Sequence, residues 1–276
     1  MKKTAIIAIG GGMRSAHGAG FLYGLATDLG IVDVDFVVGS SGNSANVLCY
    51  ASKNKNQYEA LKRVWTELLS TSKFISYIRF WKILDIDYLV DVVFKCKVAH
   101  GLDALASSEI EYYIPVVEVV TGLPRYLARE DNIDVYEILR ASNALPFLYG
   151  KEITLSGGVF IDGKIGQTVQ DHIDFAISKK ADRILVVDDS PERTVLRKIA
   201  IWISAYLSTR GLRDAIIRDL HITPTRIVPD GVKVLYVRPS NLPRWIGRDK
   251  KKLLKTFEIG RSSAYDKEEE IRKLFL

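Results

Sequence analysis

The sequence predicts an α/β fold, a mostly parallel central sheet with helices on both faces. Three observations carry that reading. Short apolar runs alternate with longer helix-compatible stretches along most of the 276 residues, the order expected when strands are followed by covering helices. Several runs, Ile184-Leu185-Val186-Val187 most clearly, are apolar at every position, as in strands buried on both faces. No Pro/Gly/Ser-rich linker, internal repeat or low-complexity tract breaks the chain, and its 47% hydrophobic content is enough for one sizeable core. A single domain over residues 1–276 is therefore expected.

The elements follow in order. A strand is expected near 4–9, where Ala5-Ile6-Ile7-Ala8-Ile9 runs into three glycines, and a helix near 16–29 follows them. Phe36-Val37-Val38 gives a strand over 34–39 that stops at Gly39, with helices near 44–52 and 56–71 after it. Residues Phe74 to Phe94 (Tyr77, Phe80, Trp81 and Tyr88 among them) interrupt the alternation for long enough to form an inserted helical cap, near 72–98, although apolar stripes more often pack in a core. Strands are expected near 113–120 and 125–128, then a helix near 134–142. Two short strands, 152–155 and 159–161, flank the Ser156-Gly157-Gly158 turn. Helices near 168–180, 193–217 and 248–275 and strands near 183–188 and 232–237 complete the pattern. Within the 193–217 helix, Ile199, Trp202, Ile203 and Tyr206 share one face.

Ser41 lies in Gly39-Ser40-Ser41-Gly42-Asn43, where an apolar run ends and a helix-compatible stretch begins. A serine on a sharp strand-to-helix turn is pushed out toward substrate. The following helix brings its partial positive end to the oxygen, which suits a nucleophile. Asn43 stands where a Gly-x-Ser-x-Gly elbow has its last glycine, but asparagine tolerates left-handed backbone. A serine-rich loop capping a helix fits the same residues, and on this segment alone both readings stand.

Two further segments bear on the choice. Gly10-Gly11-Gly12-Met13-Arg14 follows a buried strand and precedes a helix, so its amides are placed to hold an anion or an oxyanion. A dinucleotide-binding loop competes: Ser15 stands where that fingerprint needs glycine, while Asp33 or Asp35 would serve as the ribose acid. A P-loop is excluded, because no Gly-Lys-Ser/Thr follows. In the second segment, Val159-Phe160-Ile161-Asp162-Gly163 puts a carboxylate at a strand end. Asp-Gly alone marks a turn, but a serine elbow, an N–H donor loop and a strand-end acid together are the parts of an acyl-transfer site. Gly10, Ser41 and Asp162 each follow or end a strand, so they converge on one rim of a parallel sheet.

These motifs resemble, in order, those of the patatin-like phospholipase family. Gly10-Gly11-Gly12-Met13-Arg14 resembles its oxyanion-hole motif, followed by a helix at Ala19-Gly20-Phe21-Leu22. Gly39-Ser40-Ser41-Gly42-Asn43 resembles its nucleophile motif. Ala141-Ser142-Asn143-Ala144-Leu145-Pro146 resembles the stretch before its acid, and Asp162-Gly163 its Asp-Gly motif. The likeness spans residues 5 to 165, with a weaker match over Phe257 to Ala264. It implies a three-layer sandwich and a lipid acyl hydrolase that cleaves phospholipid or acylglycerol esters without a cofactor. Ser41 is then the nucleophile and Asp162 the base of a dyad, with Gly10, Gly11, Gly12, Met13 and Arg14 forming the oxyanion hole and Gly39, Gly42 and Gly163 supporting the turns. The 72–98 segment becomes a lid or the lining of an acyl-chain cleft. Ser15, Asn43 and Lys164 depart from the family pattern and leave open a weakened site, in an acyltransferase or a lipid-binding relative. The rival of a different class is a nucleotide-binding oxidoreductase.

Of four histidines, His172 and His221 follow Asp162 as a Ser–Asp–His order requires. The resemblance implies that no histidine takes part, so His17 reads as a helix-start residue and the others, with His100, as incidental. No His/Cys/Asp cluster has metal-ligand spacing. Cys49 and Cys96 read as buried free thiols. Met1-Lys2-Lys3 opens like a signal peptide, but the apolar run breaks at Gly10, and no stretch spans a bilayer, so a cytoplasmic protein is expected. The chain is +6 overall, yet residues 191–255 hold 15 Lys and Arg against 5 acids. Within them, Arg244, Trp245, Lys250, Lys251 and Lys252 form either a peripheral contact with anionic membrane or an ordinary solvated face. No nucleic-acid motif accompanies the charge.

Overall fold

The computed structural model describes residues 3–80, 82–98, 102–191, 209–221, 227–240, 242 and 246–275. The strands are β1 (Lys3–Ile9), β2 (Phe36–Gly39), β3 (Glu111–Glu118), β4 (Pro124–Ala128), β5 (Ile153–Leu155), β6 (Gly158–Asp162), β7 (Ala181–Asp188) and β8 (Lys233–Val237). The helices that carry the argument are α1 (Ala16–Tyr23), α2 (Gly42–Ala51), α3 (Lys55–Arg63), α4 (Tyr88–Lys97), α5 (Val135–Ser142), α6 (Val169–Ser178), α7 (Arg210–His221), α8 (Lys250–Asp266) and α9 (Glu268–Phe275).

The sheet runs β5-β6-β3-β2-β1-β7-β8, with β4 pairing β3. Strands β3, β2, β1, β7 and β8 are mutually parallel, which explains their unbroken apolar runs. Successive residues of β1 go to opposite cores. Ile6 and Ala8 pack with α1, α2 and α8, whereas Ala5, Ile7 and Ile9 pack with Ile173 and Ala176 of α6. Both faces are thus covered, as a parallel sheet requires. Helices α1 and α8 cross at backbone contact. A methyl group on Gly20 would sit 1.9 Å from Phe257 O, and one on Gly260 1.9 Å from His17 O. The weak family likeness over 257–264 therefore coincides with a packing requirement.

One feature of the topology builds the site. Along β3, Tyr113 pairs with both Ala128 and Val38, and Val116 with both Arg125 and Asp162. Since β4 occupies one edge from Tyr113 to Val117, β2 and β6 must share the other. They run toward each other, so the end of β2 and the end of β6 meet three positions apart along β3. Sequence reasoning placed Asp162 on the rim of a parallel strand; in fact β6 is antiparallel and brings it in head-on.

Other expectations shift. The helix expected over 16–29 changes at Gly24 to a wider turn closed by Leu29 N–H on Gly24 O. The first half of the expected helical cap is a hairpin, in which Ser76 N–H bonds Ile83 O and Asp85 N–H bonds Phe74 O. Its turn is pinned by Arg79, which donates to the carbonyls of Ser72, Lys73 and Phe74 and to Asp85. The helix expected over 248–275 is two helices, α8 and α9, parted at Lys267. Cys49 is buried, but Cys96 is exposed, on the outer face of α4. Of the 193–217 helix, residues 192–208, with the Ile199, Trp202, Ile203 and Tyr206 stripe, lie outside the described residues.

Candidate active site

Ser41 sits between β2 and α2 with φ 52° and ψ −133°, a conformation side-chain-bearing residues rarely adopt. The strain is sustained by surrounding bonds. Ser41 N–H donates to Ser142 Oγ (3.3 Å), Ser44 Oγ to Ser41 O (2.6 Å) and Ser40 N–H to Ala8 O (3.1 Å). The glycine loop lies directly against this turn. A methyl on Gly10 would come within 2.3 Å of Ser40 O, and one on Gly42 within 2.7 Å of Ser15 Oγ.

Asp162 is fully buried. Its Oδ1 accepts the Lys164 amide at 2.8 Å, whereas Oδ2 has no well-directed partner. The Ser41 hydroxyl lies close enough to the carboxylate to favour its ionised form, although the two do not form a hydrogen bond. Burial pushes the carboxyl up to about 7, against the lowering effects of the Lys164 amide, the Ser41 hydroxyl and the Lys164 charge. A carboxylate held there is matched to take and return protons near neutral pH. Gly163 is required by contact: a methyl there would lie 1.9 Å from Pro115 O.

The segment 141–146 braces both partners. Ser142 Oγ accepts from Ser41 N–H and donates to Pro115 O (3.0 Å). Asn143 Nδ2 donates to Ser44 Oγ (2.9 Å), and Ala144 O accepts Asp162 N–H (3.1 Å).

The glycine loop supplies fewer donors than its five residues suggest. Gly10 N–H is engaged by Ser40 Oγ (3.3 Å), Gly11 N–H by Ser15 Oγ (3.0 Å) and Arg14 N–H by Gly11 O (3.3 Å). No such bond engages the amides of Gly12 and Met13 among the described residues, and both residues line the cleft with Ser41 and Gly42. Of the five residues Gly10 to Arg14 expected to form an oxyanion hole, Gly12, turned to φ 61°, and Met13 are the two that line the cleft with unengaged amides among the described residues.

Each departure from the motif pattern has a partner. Ser15 staples the glycine loop through Gly11. Asn43 Nδ2 donates to Ile9 O and Asp189 Oδ2, both at 2.9 Å. Lys164 gives its amide to Asp162, and its ammonium reaches Gln167 O at 3.2 Å. Asp189 was missed by sequence reasoning. It is fully buried and also takes Gly18 N–H (3.0 Å) and His17 Nδ1 (2.8 Å). The available signal was an acid just past the apolar run 184–187, level with the end of β1.

The two histidines whose side chains are described, His17 and His172, have partners other than Ser41 and Asp162. His17 lies in the first turn of α1, as expected, and is buried there against Asp189. His172 faces Tyr126 OH (2.9 Å), and burial pushes its pKa down to about 3. His100 and the side chain of His221 lie outside the described residues. Asp35 is spent on Thr4 (2.7 and 2.9 Å) and Asp33 on Lys53 (2.6 Å), so neither is held ready for a ribose.

From Ser41 an apolar cleft extends, of about 540 Å³ counted out to open solvent. Val64 and Trp65 beyond α3, Phe74 and Leu84 of the hairpin, and Leu89 and Phe94 at α4 form its walls. The 72–98 segment therefore lines the cleft.

A strained serine near a buried carboxylate, with unengaged amides beside it and an apolar cleft above, has the parts that an acyl-transfer site requires. The chain belongs to the patatin-like phospholipase family, whose sequence model matches residues 9–169; that family is one of lipid acyl hydrolases. The fold is similar to that of VipD from Legionella pneumophila, with a TM-score of 0.52 at 11% identity, over 96% of this chain and 67% of that one. No curated protein matches the chain.

Proposed function

We propose that this chain hydrolyses carboxylic esters of lipids through an acyl-enzyme on Ser41. The observation that carries it is the meeting of Ser41, in a strained turn, with a buried Asp162 whose pKa is pushed up to about 7. Ionised Asp162 takes the Ser41 proton as Oγ attacks the acyl carbonyl. The oxyanion forms against the Gly12 and Met13 amides, usually the largest single contribution in such reactions. As the tetrahedral adduct collapses, Asp162 gives its proton to the departing alcohol oxygen. A water then attacks the acyl-enzyme, loses its proton to Asp162, and the free acid leaves as Ser41 recovers the proton. The apolar cleft supplies a channel for the acyl chain. Arg14 belongs to the loop's brace through the hydrogen bond its backbone N–H donates to Gly11 O.

The departures at Ser15, Asn43 and Lys164 support an intact site, because each is bonded into the turn it occupies. The test is labelling with a fluorophosphonate. Modification of Ser41 that vanishes in Ser41→Ala and falls in Asp162→Asn, with matching loss of fatty-acid release, supports the reading. Labelling that persists in Ser41→Ala rejects it.

A further inference from the structure

The hairpin at the cleft mouth exposes what water should repel. Tyr77 is 59% exposed, Ile78 88% and Phe80 77%, all at its tip. Phe147, 48% exposed and at φ 65°, lies by the hairpin's base, where Leu148 O accepts the Leu84 amide at 2.9 Å. Exposed apolar groups clustered in this way mark an interaction surface.

The charges around it narrow the partner. Of the cations in the hairpin, Arg79 and Lys82 pair with Asp85 and Asp87, which leaves Lys73 exposed at its edge. Arg248 Nη1 donates to Ile75 O at 2.7 Å, which ties the start of the basic run Lys250, Lys251 and Lys252 to the hairpin. Lys73 and those three lysines are exposed and pair with no acid among the described residues. An apolar tip beside unpaired cations is complementary to a lipid surface carrying anionic headgroups. The hairpin's base residues Phe74 and Leu84 line the cleft, and so does Leu145, two residues before Phe147. A protein seated on the tip would close that mouth, whereas a lipid surface would open directly into it.

We infer that the 76–80 hairpin tip, with Phe147, is the anchor by which this protein docks on an anionic lipid surface, with Lys250, Lys251 and Lys252 as its electrostatic flank. The choice of lipid over protein leans on the proposed ester chemistry. The exposure and charge do not. The anchor thus lies mainly in the hairpin, and not in the basic run alone; Arg244 and Trp245, expected to share that role, lie outside the described residues.

The test is sedimentation of the Ser41→Ala protein, which cannot turn over by the proposed route, with vesicles of phosphatidylcholine with and without phosphatidylserine. Binding to the serine-lipid vesicles is expected, weakened about tenfold or more by Ile78→Glu with Phe80→Glu. Ile78→Trp with Phe80→Trp should keep it, separating loss of an anchor from loss of fold. Replacing the three lysines by glutamine should remove the preference for phosphatidylserine. Undiminished binding of the glutamate variant overturns the inference, as does no binding by any form. So does a change in oligomeric state in that variant with vesicle binding intact, which would assign the face to a second copy. Turnover of a soluble short-chain ester by the protein with Ser41 in place should survive the glutamate changes. If vesicles bind but no ester is cleaved, docking stands and the hydrolase reading falls.

Discussion

Asn43 Nδ2 and Asp189 Oδ2 lie 2.9 Å apart and fully buried, joining the first turn of α2 to the residue that follows β7. Through His17 and Gly18, Asp189 also holds the start of α1. The turn at Ser41 is therefore anchored from behind by an acid outside the 9–169 family match. The position where this chain departs from the family's glycine is the one that makes the link.

Restoring that glycine should weaken the protein. Asn43→Gly removes three buried hydrogen bonds, to Ile9 O, to Asp189 Oδ2 and from Asn46 Nδ2, and leaves Asp189 Oδ2 with one fewer donor, at a cost of about 2–4 kcal/mol. Chemical denaturation should read this as a lower midpoint. A gain in stability would mean that the departure at Asn43 is neutral.

Ser41→Ala should abolish lipid hydrolysis, by about 10³-fold or more, while leaving the backbone strain in place. Ser41→Gly should be equally inactive but more stable than Ser41→Ala by about 1 kcal/mol, because glycine accepts φ 52° without penalty. Thermal melts of the two variants compare them directly.

The rate should rise with pH through about 7, where the Asp162 carboxyl ionises. Lys164→Met removes a charge that favours ionisation, so the rising limb of kcat/KM should move to higher pH. A limb that stays in place would separate the pH dependence from Asp162.

The same group affects stability with a definite sign. The folded-state pKa is raised, so the folded chain binds the extra proton between about 4 and about 7 and loses stability as pH climbs through that window. Asp162→Asn should therefore melt higher than the parent by an amount that grows from pH 4 to 7 and then levels off. An advantage confined to low pH would contradict this.

Two glycines give a steric contrast. Gly163→Ala forces a methyl to 1.9 Å from Pro115 O in the middle of the sheet, and should cost about 3 kcal/mol or more. Gly247→Ala meets nothing within 4 Å and should change stability by less than about 0.5 kcal/mol. Parallel unfolding curves decide it.

What the sequence determined by itself was whatever local chemistry controls. Glycines and serines at strand ends marked the turns at Gly10–Gly12 and Gly39–Asn43, and unbroken apolar runs marked the parallel strands. The pattern of Gly158 to Asp162, by contrast, is apolar in either strand direction, so only pairing with β3 decided that Asp162 arrives head-on. Which loop amides stay available was equally invisible, since Gly10, Gly11 and Arg14 lose theirs to partners that folding brings close. Asp189 gave no motif because its role exists only where α1, α2 and β7 converge. The raised pKa of Asp162 belongs to the tertiary structure for the same reason: desolvation is a property of everything packed around a group, and no short stretch of chain contains it.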